Sequence, residues 1–170
     1  MRTLIILVVI ALAFNESLAQ WEVTVGKEKV TNKQMAFLRT QGKVNGQLYE
    51  LQLTCGEGSL PKIQVAAFDQ NLSGRKISFE EQSSFFGVSL WSRRFNFRVD
   101  DRKPQSLSLS QKEYGNMGET IWPTSEDMPQ RRIVISEVIP GETVEFKVSP
   151  LSRQVFDLCS KPVLAERAKR

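Results

Sequence analysis

The chain has 170 residues, of which 25% are charged and 41% are hydrophobic, and its formal net charge at pH 7 is +4. These values are typical of a globular protein and exclude a wholly disordered or collagen-like chain. The chain contains no histidine, which excludes a Ser-His-Asp triad, a Cys-His pair and every metal site that requires imidazole. From the sequence as a whole we expect no catalytic residues, no metal and no cofactor.

The N-terminus has the pattern of an export signal. A short basic start, Met1–Thr3, precedes an apolar run, Leu4–Phe14, which is shorter than the roughly 20 residues that a membrane-spanning helix needs. Ser17 and Ala19 then supply small side chains three residues and one residue before a signal-peptidase cut. The pattern predicts cleavage after Ala19, and an uncleaved N-terminal anchor is the alternative.

This cleavage divides the chain into a signal peptide, residues 1–19, a domain, residues 20–160, and a basic C-terminal tail, residues 161–170. The length after cleavage is that of one domain with its own core. No later apolar run approaches transmembrane length. We expect a periplasmic or secreted protein that is not an integral membrane protein.

Two cysteines, Cys55 and Cys159, follow the signal. In an oxidising compartment an isolated pair most simply forms one disulfide. Two free thiols or an intermolecular bond are the alternatives. The bridge would tie the middle of the domain to its C-terminal end.

Most of the remaining sequence alternates between apolar and polar residues with period two, which indicates half-buried β-strands. The first predicted strand begins at Trp21 and ends near Gly26. Two further runs flank Asn45-Gly46, a dipeptide favoured in hairpins because both residues tolerate positive φ. The predicted strands after the first are, in chain order, Gln34–Thr40, Leu48–Thr54, Ile63–Ala67, Phe85–Trp91, Arg93–Val99, Leu107–Leu109, Thr120–Trp122, Ile133–Ile135 and Val144–Val148.

Only the C-terminal end departs from this alternation. Pro150 suits the first turn of a helix, and Leu151, Val155, Leu158 and Cys159 follow at helical spacing. We expect a helix that ends at Cys159 and a frayed tail beyond it. Many short strands and one terminal helix predict an all-β fold, an antiparallel β-sandwich with a short C-terminal helix and one disulfide.

An arginine-rich segment lies near the middle of the domain. Phe95, Phe97 and Val99 share one face of their strand, and Arg94 and Arg98 lie on the other. Because the aromatic and basic side chains are separated in this way, the pattern favours a solvated or partner-facing outer surface over a nucleic-acid platform. A basic patch of this kind can also attract an acidic partner, an anionic lipid or an anionic polymer. The predicted partner-binding residues are Arg94, Arg98 and Arg102, and the loop 112–130 is a second candidate surface.

Acidic pairs are the other groups with potential chemistry. A hydrolase that uses carboxylates alone needs two of them at a defined separation, and Glu80, Asp100 and Asp127 are the candidates. They lie in polar or turn-like segments, where solvated acids are common. This pattern favours ordinary surface charge.

The order of these features resembles the periplasmic VasI/TagO-like proteins associated with type VI secretion. Trp21 opens the domain, and Leu51–Cys55 has the Leu-x-Leu-x-Cys pattern of a strand in that family. Phe97–Asp101 is similar to the family's strand that runs into an Arg-x-Asp turn. Gly141–Phe146 is similar to a late strand before the short helix that ends in the second cysteine, here Cys159. The resemblance implies a β-rich periplasmic accessory domain with one disulfide and without catalytic residues.

We therefore expect an exported, non-catalytic binding or accessory protein of the cell envelope, whose partner is a protein and not a nucleic acid. A secreted inhibitor of a cell-wall hydrolase is the alternative, and a carboxylate-only hydrolase is a third.

Overall fold

The computed structural model of the chain describes residues 21–68, 77, 80–85, 88–112, 117–137 and 140–169. The predicted signal peptide, residues 1–19, lies outside the described residues. The fold is antiparallel β-structure with one C-terminal helix. Its elements are β1 (Glu22–Lys27), β2 (Gln34–Val44), β3 (Gln47–Gly56), β4 (Ser59–Phe68), β5 (Glu80–Phe85), β6 (Val88–Val99), β7 (Gln105–Lys112), β8 (Met117–Ile121), β9 (Arg132–Ser136), β10 (Thr143–Lys147) and α1 (Arg153–Arg167).

The ten strands form one sheet in the order β1-β2-β3-β4-β8-β7-β6-β9-β10, and β5 pairs with β6 beside β9. The hairpin predicted at Asn45-Gly46 is confirmed. It joins β2 to β3, and both turn residues have positive φ, 50° at Asn45 and 80° at Gly46. Local turn chemistry therefore sets the register of this hairpin.

The sequence predicts two separate strands here, Phe85–Trp91 and Arg93–Val99. This prediction is wrong, because residues 88–99 form the single strand β6. The first part of β6 pairs with β5 and the last part pairs with β9, while β7 runs along the opposite edge. No glycine or proline interrupts 88–99, so nothing in the local chemistry requires a break.

The sheet curls so that β10, the last strand, crosses β2. A Cβ atom added to Gly42 of β2 would lie 2.6 Å from the Val144 side chain and 3.0 Å from the Glu145 carbonyl of β10. The hydroxyl of Thr40 donates to the carbonyl of Lys147 at 3.4 Å. Glycine thus permits the close approach that curls the sheet. The β-sandwich prediction is not confirmed, since the described strands form one curled sheet.

The core lies inside this curl. It contains the inward residues of the strands, and the largest fully buried side chains are Trp122, Tyr49, Phe95, Phe97 and Phe146. Two edge-to-face contacts order the aromatic centre: Phe97 packs against Trp122 at 5.4 Å and against Phe95 at 6.3 Å between ring centroids.

Helix α1 packs on the core face of β2, β3 and β4. The predicted disulfide is confirmed: Cys55 of β3 is bonded to Cys159 of α1, and both are fully buried. The helix does not end at Cys159. Val155, Cys159 and Val163 form one buried stripe at four-residue spacing, so residues 161–167, predicted as a frayed tail, are instead the last turns of α1.

In the described part of the chain, no helix combines the length and the apolar character needed to cross a bilayer.

Candidate functional site

The outer side of β6 carries the arginines that the sequence singled out. Phe95 and Phe97 point into the core and are 1% exposed. Because side chains alternate along a strand, Arg94, Asn96 and Arg98 lie on the outer face. The strand is held on both edges by β7 and β9, so it presents these side chains from a fixed backbone.

Hydroxyl side chains flank the arginines on the neighbouring strands. Ser108 of β7 is opposite Arg94, and Ser106 of β7 and Ser136 of β9 are opposite Asn96. Directly paired residues of antiparallel strands lie on the same face. We call this surface the basic face, and its residues are Arg94, Asn96, Arg98, Ser106, Ser108, Val134 and Ser136.

The two arginines of the basic face differ from other surface arginines in their ion pairing. Two other surface arginines have ion pairs: the Arg39 guanidinium lies 2.7 Å from the Glu22 carboxylate, and the Arg132 guanidinium lies 2.6 Å from the Asp101 carboxylate. Among the described residues, no carboxylate is within ion-pair distance of Arg94 or Arg98. Within the described residues, the basic face therefore presents two guanidinium groups without a paired carboxylate.

Arg98 also has an unused donor inside the surface layer. Its Nε is buried and has no hydrogen-bond partner among the described residues. A buried donor without a partner costs free energy. An incoming acceptor that reaches this donor would recover part of that cost.

A recess of about 310 Å³ lies beside Arg94 and Asn96. Arg93 and Glu137 form its other wall, where the Nε of Arg93 donates to the carbonyl of Glu137 at 2.9 Å. The basic face therefore has a concave position next to the Arg94 guanidinium.

The third predicted arginine is placed differently. The Arg102 guanidinium donates to Glu126 at 3.2 Å and to Asp127 at 2.5 Å. Arg167 of α1 also donates to Asp127, at 2.7 Å, and to the carbonyl of Thr124. We call Arg102, Glu126, Asp127 and Arg167 the loop clamp. Only Arg94 and Arg98 of the three arginines share the outer face of β6.

The clamp also changes the interpretation of the loop 112–130. Part of this segment is strand β8, Met117–Ile121, and residues 113–116 lie outside the described residues. The following loop is fastened by the clamp, and the indole nitrogen of the buried Trp122 donates to the carbonyl of Glu126 at 3.0 Å. The short strand predicted at Thr120–Trp122 is confirmed as β8, which begins three residues earlier. Buried and ion-paired contacts fix the loop that follows it.

Two of the three candidate acids, Asp100 and Asp127, have side-chain contacts within the fold. The Asp100 carboxylate accepts from the backbone N–H groups of Gln130, Arg131 and Arg132 at 2.9–3.1 Å. Asp127 belongs to the loop clamp. Glu80 is the first residue of β5. Asp100 and Asp127 thus hold the loop between β8 and β9, and each is engaged by donors of the protein itself.

No family model, curated protein or solved structure matches the chain.

The loop clamp predicts a pH-dependent contribution to stability. Hydrogen bonds from Arg167 and then Arg102 hold the pKa of Asp127 below its ordinary value of 3.8. A lowered pKa in the folded state means that the stabilisation is complete above pH 3.8 and is lost as the pH falls through the lowered pKa. Because Asp127 is 51% exposed, we expect Asp127→Asn to cost at most about 1 kcal/mol at neutral pH.

Urea unfolding of the wild type and of Asp127→Asn at neutral pH and near pH 2 measures this contribution. The difference between the two proteins should shrink in acid. An equal difference at both pH values would contradict the assignment of Asp127 as an ionised partner of the two arginines.

Proposed function

We propose that this protein is a non-catalytic binding protein whose basic face captures an acidic surface of a protein partner. The observation that carries the proposal is that Arg94 and Arg98 project from the central strand β6 without a carboxylate partner among the described residues. Guanidinium groups form paired hydrogen bonds with carboxylates. The serines beside them add donors and acceptors without bulk, so an acidic segment has polar contacts along its length.

The spacing of the arginines suits an extended acidic segment. Arg94 and Arg98 are four residues apart on one strand, so their Cα atoms are separated by roughly 13 Å. An extended segment repeats its side chains on one face every two residues, or roughly 7 Å. Carboxylates four residues apart on such a segment would meet both guanidinium groups, with Asn96 between them.

Charge reversal at the basic face tests this function. We expect Arg94→Glu/Arg98→Glu to weaken the binding of a fluorescent glutamate decamer by at least about tenfold at low salt, because attraction becomes repulsion. Affinity for the wild type should also fall as salt is added. The midpoint of thermal unfolding should remain nearly unchanged, since neither arginine has an ion pair among the described residues to lose. Fluorescence anisotropy and circular dichroism measure these two quantities.

A matched control separates local recognition from net charge. Lys29→Glu/Lys43→Glu makes the same change in charge at exposed positions of the β1–β2 turn and of β2. This control should bind the decamer with less than about threefold loss. Equal weakening by both double variants would reject the basic face as the site.

We also propose that the protein is exported and works as an envelope accessory domain of the kind that the VasI/TagO-like resemblance implies. The disulfide supports this proposal, because such bonds persist mainly in oxidising compartments. Mass analysis of the protein from the periplasm, without reductant, should give a chain that begins at Gln20 and has lost the two thiol hydrogens. Recovery of the full-length chain from the cytosol with both thiols alkylated would contradict it.

A further inference from the structure

Strand β1 is the open end of the sheet. At the other end, β10 lies against β2, where Gly42 approaches the carbonyl of Glu145. β1 pairs with β2 along one side only, residue by residue over Glu22–Lys27. Among the described residues, no strand pairs with its other side. Alternate backbone N–H and C=O groups of β1 therefore point away from the sheet, where a further strand can bind them.

Two valines of β1 belong to the core face of the sheet and are still exposed. Val23 is opposite Leu38 and Val25 is opposite Ala36, and both of these β2 residues are buried. Because directly paired residues share a face, the two valines also lie on the core face. They are nevertheless 43% and 44% exposed. A strand added at this edge would cover part of that apolar surface.

The edge lacks the features that keep sheet edges apart in other proteins. Edge strands are commonly protected by a proline, a β-bulge or an inward-pointing charge. β1 has no proline, and its pairing with β2 runs without a register shift. The inward positions in its middle are Val23 and Val25, and the one inward charge, Lys27, is the last residue of the strand. The middle of β1 is therefore open to pairing.

We propose that this edge binds a second copy of the chain, with the two β1 strands antiparallel and Thr24 opposite Thr24 of the second copy. In this register Val23 lies opposite Val25 of the second copy, and Val25 lies opposite its Val23. The four valines form one apolar strip across the two strands. Glu22 lies opposite Gly26, so no like charges are directly opposed.

The strand complements itself best in this register. Since the two copies join with their core faces on the same side, the register can change only in steps of two residues. One step places Glu22 opposite Glu28 of the second copy, which opposes two like charges. The step in the other direction pairs only residues 21–25. The proposed register pairs all of 21–27, and the interface is small, so we expect a dissociation constant of roughly 10–100 μM.

Sedimentation equilibrium of the purified protein tests the dimer. We expect chiefly dimer at about 500 μM and chiefly monomer at about 1 μM. Val25→Lys places an inward charge in the middle of the edge and should raise the dissociation constant at least about tenfold. Val30→Lys is the matched control, because it makes the same change in the β1–β2 turn, where the valine is 91% exposed. It should leave the dissociation constant unchanged.

Two results of this experiment would overturn the proposal. One is a monomer at every concentration, which is the result expected if the edge instead receives a strand of a different protein. The other is an equal effect of Val25→Lys and Val30→Lys on the dissociation constant.

Two cysteine variants test the register separately from the affinity. Thr24→Cys places two thiols directly opposite each other, with Cβ atoms roughly 5 Å apart, which is close enough for a disulfide after a small adjustment. Gly26→Cys is the control, since its two thiols are four residues apart along the strands, or roughly 13 Å. A Cβ at Gly26 contacts nothing within 4 Å, so this control should fold. Mild oxidation should link the copies of Thr24→Cys and not those of Gly26→Cys, and equal linking of both would overturn the register.

Discussion

Removal of the Cys55–Cys159 bridge should lower the free energy of unfolding by up to about 4–5 kcal/mol, the largest loss we expect from any single crosslink or contact. The bridge closes a loop of 104 positions, and a loop of that length restricts the unfolded chain strongly. It also fixes α1 to β3, where the helix otherwise depends on a narrow apolar stripe centred on Val155 and Val163. Urea unfolding of Cys55→Ala/Cys159→Ala measures the loss.

Reduced wild-type protein is the matched comparison for this variant. It loses the same crosslink and retains both sulfur atoms, so its stability should fall by a similar amount. Hydrogen exchange should rise first in α1, because the helix depends most on the bridge. A loss below about 1 kcal/mol in both proteins would contradict this account of how the helix is held.

Asp100→Ala should destabilise the protein by about 3 kcal/mol, through the loss of one carboxylate that accepts three backbone N–H groups. Oδ1 accepts from Arg131 and Arg132, and Oδ2 accepts from Gln130. The N–H of Asp100 in turn donates to the carbonyl of Arg132 at 3.0 Å. Residue 100 thus fixes the point at which the loop enters β9.

Asp100→Asn is the control for the backbone conformation. Asp100 has φ +49°, a region that asparagine tolerates better than alanine. Asparagine also retains one carbonyl oxygen, so its loss should be about 1 kcal/mol. Equal losses for alanine and asparagine would show that charge alone matters, and a negligible loss for both would contradict the assigned hydrogen bonds.

Short-range patterns predicted most of the strands. The hairpin at Asn45-Gly46 needs only two residues that tolerate positive φ and alternating residues on each side. The alternation of Phe95 and Phe97 with Arg94 and Arg98 likewise depends only on the period of a strand. The outer position of the arginines followed from this period.

The features that the sequence did not predict, the curl of the sheet and the ion pairs of Arg102, depend on contacts between residues that are distant in the chain. No local signal indicates that Gly42 must approach β10 from more than a hundred residues away in the chain, and that approach is what curls the sheet. The sequence does not indicate the ion pairs of Arg102, because its partners, Glu126 and Asp127, are distant in the chain. Ion pairs formed by folding cannot be read from composition.

The sequence predicts that the C-terminal helix ends at Cys159, whereas α1 continues to Arg167. The reason for this error is local. Proline at 162 is typical of a break in a helix, yet Val163 continues the buried stripe of Val155 and Cys159. Packing and the disulfide outweigh the lost hydrogen bond.

The most direct test of the basic face is a titration of the isotope-labelled protein with the glutamate decamer, followed by amide chemical shifts. The account predicts changes concentrated at 94–98, 106–108 and 134–136, which disappear in Arg94→Glu/Arg98→Glu. Shifts centred on other parts of the molecule, or shifts at these positions that persist in the double variant, would contradict it.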